Sequence, residues 1–138
     1  MIEDSTKLVG TWKLVSAVTE DAATKEQVQL WGERPGGYLV LTQGGRWIVI
    51  QTAESRGVPK SGDDYRAAFQ SLLAYSGRYR IDGNKITIEV DVAWDESWTG
   101  TEQVRFFRLE GNRLFIEAAP ANLGGKVLIG RLTWVKAD

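Results

Sequence analysis

The chain has 138 residues with 17 Lys plus Arg against 18 Asp plus Glu, so it lacks the basic excess that nucleic-acid binding requires. It contains no Cys and no His, which excludes disulfides and thiolate chemistry and removes the usual neutral-pH base and the commonest zinc ligand. A composition that is 43% hydrophobic and 25% charged fits one ordinary globular domain over residues 1–138, with no metal or cofactor expected.

The N-terminal stretch MIEDSTKLVG has acidic residues where a secretory leader needs a basic start, and no run approaches the length of a membrane span, so a cytoplasmic protein is expected. Residues 8–19, LVGTWKLVSAVT, combine β-branched and aromatic types and read as a first strand. Residues 36–52 hold two apolar runs around Gln43-Gly44-Gly45-Arg46, which predicts a hairpin. A loop over 53–64 follows, rich in Gly, Pro, Ser and Asp.

One helix is predicted, over about 63–76, with Asp63 or Asp64 as its cap and Tyr65, Phe69 and Leu72 at helical spacing. Beyond it an internal echo appears: Ile81-Asp82-Gly83-Asn84-Lys85-Ile86 and Leu109-Glu110-Gly111-Asn112-Arg113-Leu114 share one pattern, apolar, acidic, Gly, Asn, basic, apolar. Each reads as a tight hairpin turn closed by an apolar pair. The segments GRYRI, KITIEVDVAW, TEQVRFFRL, RLFIEAA and KVLIGRLTWVK supply the remaining strands. Short strands joined by turns predict an all-β antiparallel sandwich or closed barrel, the helix covering or plugging one end.

The echo also sets the faces, because equivalent turns place their closing pairs on the same side of a sheet. Tyr79, Ile81, Ile86, Ile88, Val90, Val92 and Trp94 then point inward, with Arg78, Arg80, Thr87, Glu89 and Asp91 outward. The second turn carries Leu109, Phe107, Arg105 and Gln103 inward with Leu114 and Ile116. One arginine is thus expected inside an apolar barrel, where its charge needs a partner. Both faces of the first hairpin are apolar, and the set containing Tyr38 and Trp47 is taken as the inner one. The last strand leaves its faces open.

Four stretches in order, GTWKLVS, GYLVLT with QGGRW, LLAYSGRYRIDGNKIT, and WTGTEQVRFFRLEGNRL with RLTWV, resemble the bacterial lipocalin-like domain family over nearly the whole chain. The resemblance implies a calycin-type antiparallel β-barrel of about eight strands and a small apolar ligand in its lumen. It gives Gly10 and Trp12 a structural role near the closed end, with Arg131 or Lys136 as the basic side chain lying across the indole. Some members of the family belong to natural-product pathways. Members often carry a His after the turn of DGN type, where this chain has Ile86-Thr87-Ile88-Glu89-Val90.

Aromatic residues supply large apolar area with polar tips, which suits a ligand-sized pocket. Tyr38, Trp47, Tyr75, Tyr79, Trp94, Trp98 and Arg105 are the expected lining. The leading function is binding of a small hydrophobic molecule, aromatic or anionic, by a monomer or homodimer without nucleic-acid or membrane partners. The alternative is a cofactor-free isomerase, cyclase or dehydratase on a polyketide-like or other hydrophobic substrate, with Tyr79, Arg105 and Asp95 as candidate catalytic groups.

Overall fold

A computed structural model describes residues 5–138; Met1–Asp4, where the leader reading begins, lie outside the described residues. After a 3-10 turn (Ser5–Leu8) come β1 (Gly10–Asp21), β2 (Gln27–Val28), β3 (Gly36–Leu41) and β4 (Arg46–Thr52). The helix α1 (Gly62–Gln70) leads into β5 (Leu72–Asp82) and β6 (Lys85–Ala93), and a 3-10 turn (Glu96–Trp98) leads into β7 (Glu102–Glu110). The chain finishes with β8 (Arg113–Ala118), β9 (Ala121–Leu123) and β10 (Lys126–Lys136). Neighbouring strands pair antiparallel in one sheet, and β1 pairs with β10 to close it. Because β2 and β9 are short ribbons on β1 and β10, the wall is an eight-stranded barrel, as the sequence predicts.

Tight turns gather at one end. Gly83-Asn84 joins Asp82 to Lys85 and Gly111-Asn112 joins Glu110 to Arg113, both two-residue turns as the echo predicts. The other end carries α1, the Glu96–Trp98 turn and the connection through Pro120. The closed end is sealed by Leu8, Trp12, Leu41, Ile86, Leu114 and Trp134, each at most 2% exposed. Trp12 Nε1 donates to the Leu8 carbonyl at 2.9 Å, which ties the N-terminal turn beneath the first strand.

Lys136, rather than Arg131, covers Trp12. Its Nζ lies 4.7 Å from the ring centroid and donates to the Val9 carbonyl at 2.8 Å. Any side chain at Gly10 would meet that ammonium, which explains the Gly-x-Trp spacing. Arg131 stands on the outer face, with Glu20 at 2.7 Å and Glu117 at 3.3 Å, because its neighbours Leu132 and Trp134 take the inner face of β10.

The first hairpin corrects the expectation for Tyr38. Leu41 opposes Trp47 and Leu39 opposes Val49, so Leu39 and Leu41 share the inner face and Tyr38 is 47% exposed on the outer one. The cause is the turn, where Gly45 at φ 95° forms a bulge after Thr42 and adds one residue to the connection. A second bulge, at Asp91, shifts β6 against β5, so Ala93 packs on the core and Val92 is 66% exposed, opposite to the simple alternation.

The helix is shorter than predicted. Ser61, not Asp63 or Asp64, is its N-cap and accepts from Asp64 N at 3.2 Å, while the Asp64 carboxylate accepts from Lys60 N at 3.0 Å. It stops at Gln70 because Leu72, Leu73, Ala74 and Tyr75 are claimed by pairing with β4, and sheet formation overrides their helix propensity. Arg56 reaches over from the preceding loop and caps the last turn through the Ala68 carbonyl at 3.1 Å.

Candidate functional site

Inner side chains of β4, β5, β7, β8 and β10 meet at the centre of the barrel. Trp47, Val49, Gln51, Leu73, Tyr75, Arg105, Ile116, Leu132 and Trp134 enclose a cavity of about 40 Å³. That volume holds about three waters, far below the roughly 300 Å³ at which drug-sized pockets begin. The ligand-sized lumen expected from the aromatic content is therefore filled to this remnant by Trp47, Tyr75 and Trp134. Larger depressions lie outside the wall, about 410 Å³ beside Phe106, Phe115 and Arg131 and about 490 Å³ between α1 and the loop at Arg56.

Arg105 points inward, as the second turn predicts, because β7 and β8 pair without a shift from Leu109 back to Arg105. It donates to the Val104 carbonyl at 2.9 Å, and among the described residues no carboxylate pairs with it. Its charge acts on Tyr75, 5% exposed: burial pushes the phenol above its ordinary value, and Arg105 pulls the other way. Gln51 adds a buried amide. The indole N–H groups of Trp47 and Trp134 are buried and complete no hydrogen bond.

An aromatic path connects the rim to this centre. Phe69 of α1 lies 6.3 Å from Trp94, Trp94 lies 5.0 Å from Trp98, Trp98 lies 5.2 Å from Tyr75, and Tyr75 lies 6.5 Å from Trp47. Trp94 precedes the Glu96–Trp98 turn at the open end and Trp98 is its last residue. Asp95 caps that turn by accepting from Ser97 N at 3.0 Å and Ser97 Oγ at 2.8 Å, and these bonds hold its carboxyl below the usual range.

Tyr79 is inward but not brought to the cavity. Its hydroxyl donates to the Thr42 carbonyl at 2.8 Å at the closed end, and burial raises its phenol. The outer-face acids are engaged as well: Asp91 pairs with Arg46 and accepts from Ser76 Oγ at 2.8 Å, while Glu89 and Glu102 flank Arg80 at 3.1 and 3.3 Å. The cavity wall holds no Asp or Glu. Among the described residues, no group of three or more acids could hold a metal ion. No helix there is long and apolar enough to cross a membrane. Sequence reasoning missed Gln51 and Trp134 as lining residues, although Trp134 follows from β10 once Trp12 is placed inside, since β1 and β10 pair Leu14 with Trp134.

A family model described as a lipocalin-like domain matches residues 9–137. The chain belongs to that family. No curated protein matches it. Among solved structures it is similar to the crystal structure of a point mutant of the fluorescent protein UnaG, 16% identical, with 98% of this chain and 99% of that one covered at a TM-score of 0.45.

Proposed function

We propose that this lipocalin-like barrel binds a small hydrophobic molecule at its open end, with the aromatic path from Phe69 to Trp47 as the site and Arg105 at its inner limit. The observation that carries this reading is the path itself: five rings in series run from an exposed helix to a buried cavity. A barrel needs only a filled core to be stable, and a file of rings extending past that core to the rim is surplus to it. Because the enclosed volume is about 40 Å³, a larger ligand enters by displacing Trp98 and Trp94, whose exposure is intermediate and whose connecting turn is short. Location in the cytoplasm accompanies the proposal, in keeping with a sequence free of the Cys pairs that oxidising compartments favour.

Tryptophan emission reports binding directly, since Trp47, Trp94 and Trp98 all lie on the path. Titration with the neutral dye N-phenylnaphthylamine is expected to shift and quench that emission in a saturable way, and native mass spectrometry of the purified protein is expected to show a co-purifying apolar molecule. An emission spectrum unmoved by the dye and by a panel of fatty, aromatic and polycyclic molecules would remove the proposal.

A further inference from the structure

The centre of the barrel is unusual in the sign of its polar groups. Trp47 and Trp134 are each 2% exposed and line the same cavity, and neither indole N–H completes a hydrogen bond. An indole nitrogen is a donor only, and a buried donor left unpaired forfeits the hydrogen bond it made to water in the unfolded chain. Arg105 adds five donor N–H groups and a fixed positive charge, of which one N–H is used on Val104. No carboxylate lines the cavity to answer that charge. Of its lining side chains, only the Gln51 amide and the Tyr75 hydroxyl can accept, and each also donates.

We infer that the cavity is the headgroup site of an apolar carboxylic acid, whose carboxylate accepts from Arg105, Trp47 and Trp134 while its apolar body lies along Tyr75, Trp98 and Trp94 toward the open end. The inference rests on the binding reading above and specifies its ligand class. Three observations agree on it. The donors are concentrated and outnumber the acceptors, because the Tyr75 hydroxyl is shared between Trp47 and Arg105 and nothing answers Trp134, so a further acceptor is the missing partner. The formal charge of the lining is positive, so an anion answers it better than a ketone or an alcohol. The volume of about 40 Å³ is too small for a body but enough for a carboxylate, so the head sits deepest and the body outermost.

Matched probes test this: octanoate against octanol, and phenylpropionate against phenylpropanol, titrated into the full chain at neutral pH by calorimetry. The acids are expected to bind about tenfold or more tightly than their alcohols, the discrimination a charge-assisted hydrogen bond supplies. In a nitrogen-15 correlation spectrum the six Trp residues give six indole N–H signals. Those of Trp47 and Trp134 are expected to move downfield with acid and much less with alcohol. Trp12 already donates to Leu8 and serves as the unmoved reference.

Arg105→Met is expected to bring the ratio of acid to alcohol close to one, chiefly by weakening the acid, and Arg105→Lys to restore part of the preference. The wild-type ratio and the indole signals stand without any variant, should Arg105→Met fail to fold. Equal binding of acid and alcohol, or acid binding that leaves Trp47 and Trp134 unmoved, overturns the headgroup assignment and leaves the binding reading in place. Binding of neither probe pair, together with a silent response to the apolar panel, overturns both.

Discussion

Trp12 shows how much one residue can carry in a barrel of this size. Its ring is 1% exposed, its N–H is satisfied by Leu8, and its face is covered by Lys136, which in turn holds the Val9 carbonyl. Lys136→Met keeps the stem and removes the charge, so the cation–π contact and one hydrogen bond are lost while packing survives. The expected cost is about 1–2 kcal/mol, read as a lower denaturant midpoint at unchanged slope. Glu20 offers a second test at this scale. Arg131, and less strongly Gln27, hold its carboxyl below the ordinary range. A depressed folded pKa means that the pair stabilises fully above the unfolded value of about 4.3 and loses that contribution as the pH falls through the lower folded value. Glu20→Gln is therefore expected to be less stable than the parent near neutrality, with the gap between their thermal midpoints closing below about pH 4. A gap that stays constant with pH would show that the Glu20 to Arg131 pair is not what holds the carboxyl down.

At the scale of strands and turns, legibility in the sequence follows the number of residues in each connection. The hairpins at Gly83-Asn84 and Gly111-Asn112 are two-residue turns, so pairing and facing both follow from the pattern, and the inward placement of Ile81, Ile86, Phe107, Leu114 and Arg105 comes with them. Tyr38 and Val92 depart from the expected faces for one reason: a bulge adds a residue on one strand and reverses every face beyond it, hidden in the first case by a hairpin apolar on both faces and in the second by an alternation that continues through Asp91 to Val92. The end of α1 is illegible because its deciding contacts lie on β4, about twenty residues away in sequence. Gly77 is where two strands come closest: a Cβ there would overlap the Glu89 carbonyl oxygen and come within 2.8 Å of its carbon, both backbone atoms that no rotamer can relieve. Gly77→Ala is expected to cost about 2–4 kcal/mol, the upper range of overpacking, because β5 and β6 must separate next to Tyr75. Unfolding in urea checks it, and a cost under about 0.5 kcal/mol would show that the strands yield freely there.

For the molecule as a whole, the wall and the site make opposite demands. The wall is closed all round by β1 against β10, and its core residues seal the turn-rich end, so rigidity is concentrated there. The open end is held lightly. The helix α1 buries none of its residues, and it touches the barrel through the ring of Phe69 on Trp94. Low burial of this kind marks the segments that open at little cost, which is what uptake through a filled lumen requires. Cavity volume is the property least legible in the sequence, because the same aromatic residues that suggest a pocket also fill it, and only their packing decides. Phe69→Ala separates the two demands. Phe69 is 47% exposed, so its loss is expected to change the unfolding free energy by less than about 1 kcal/mol. It also frees the outer face of Trp94, so the rate of N-phenylnaphthylamine uptake measured by stopped-flow Trp quenching is expected to rise several-fold, with a smaller fall in equilibrium affinity because Phe69 is the outermost ring of the site. If uptake is unchanged while Trp98→Ala accelerates it, the barrier sits at the inner Trp98 to Tyr75 contact, and α1 is a bystander to the opening.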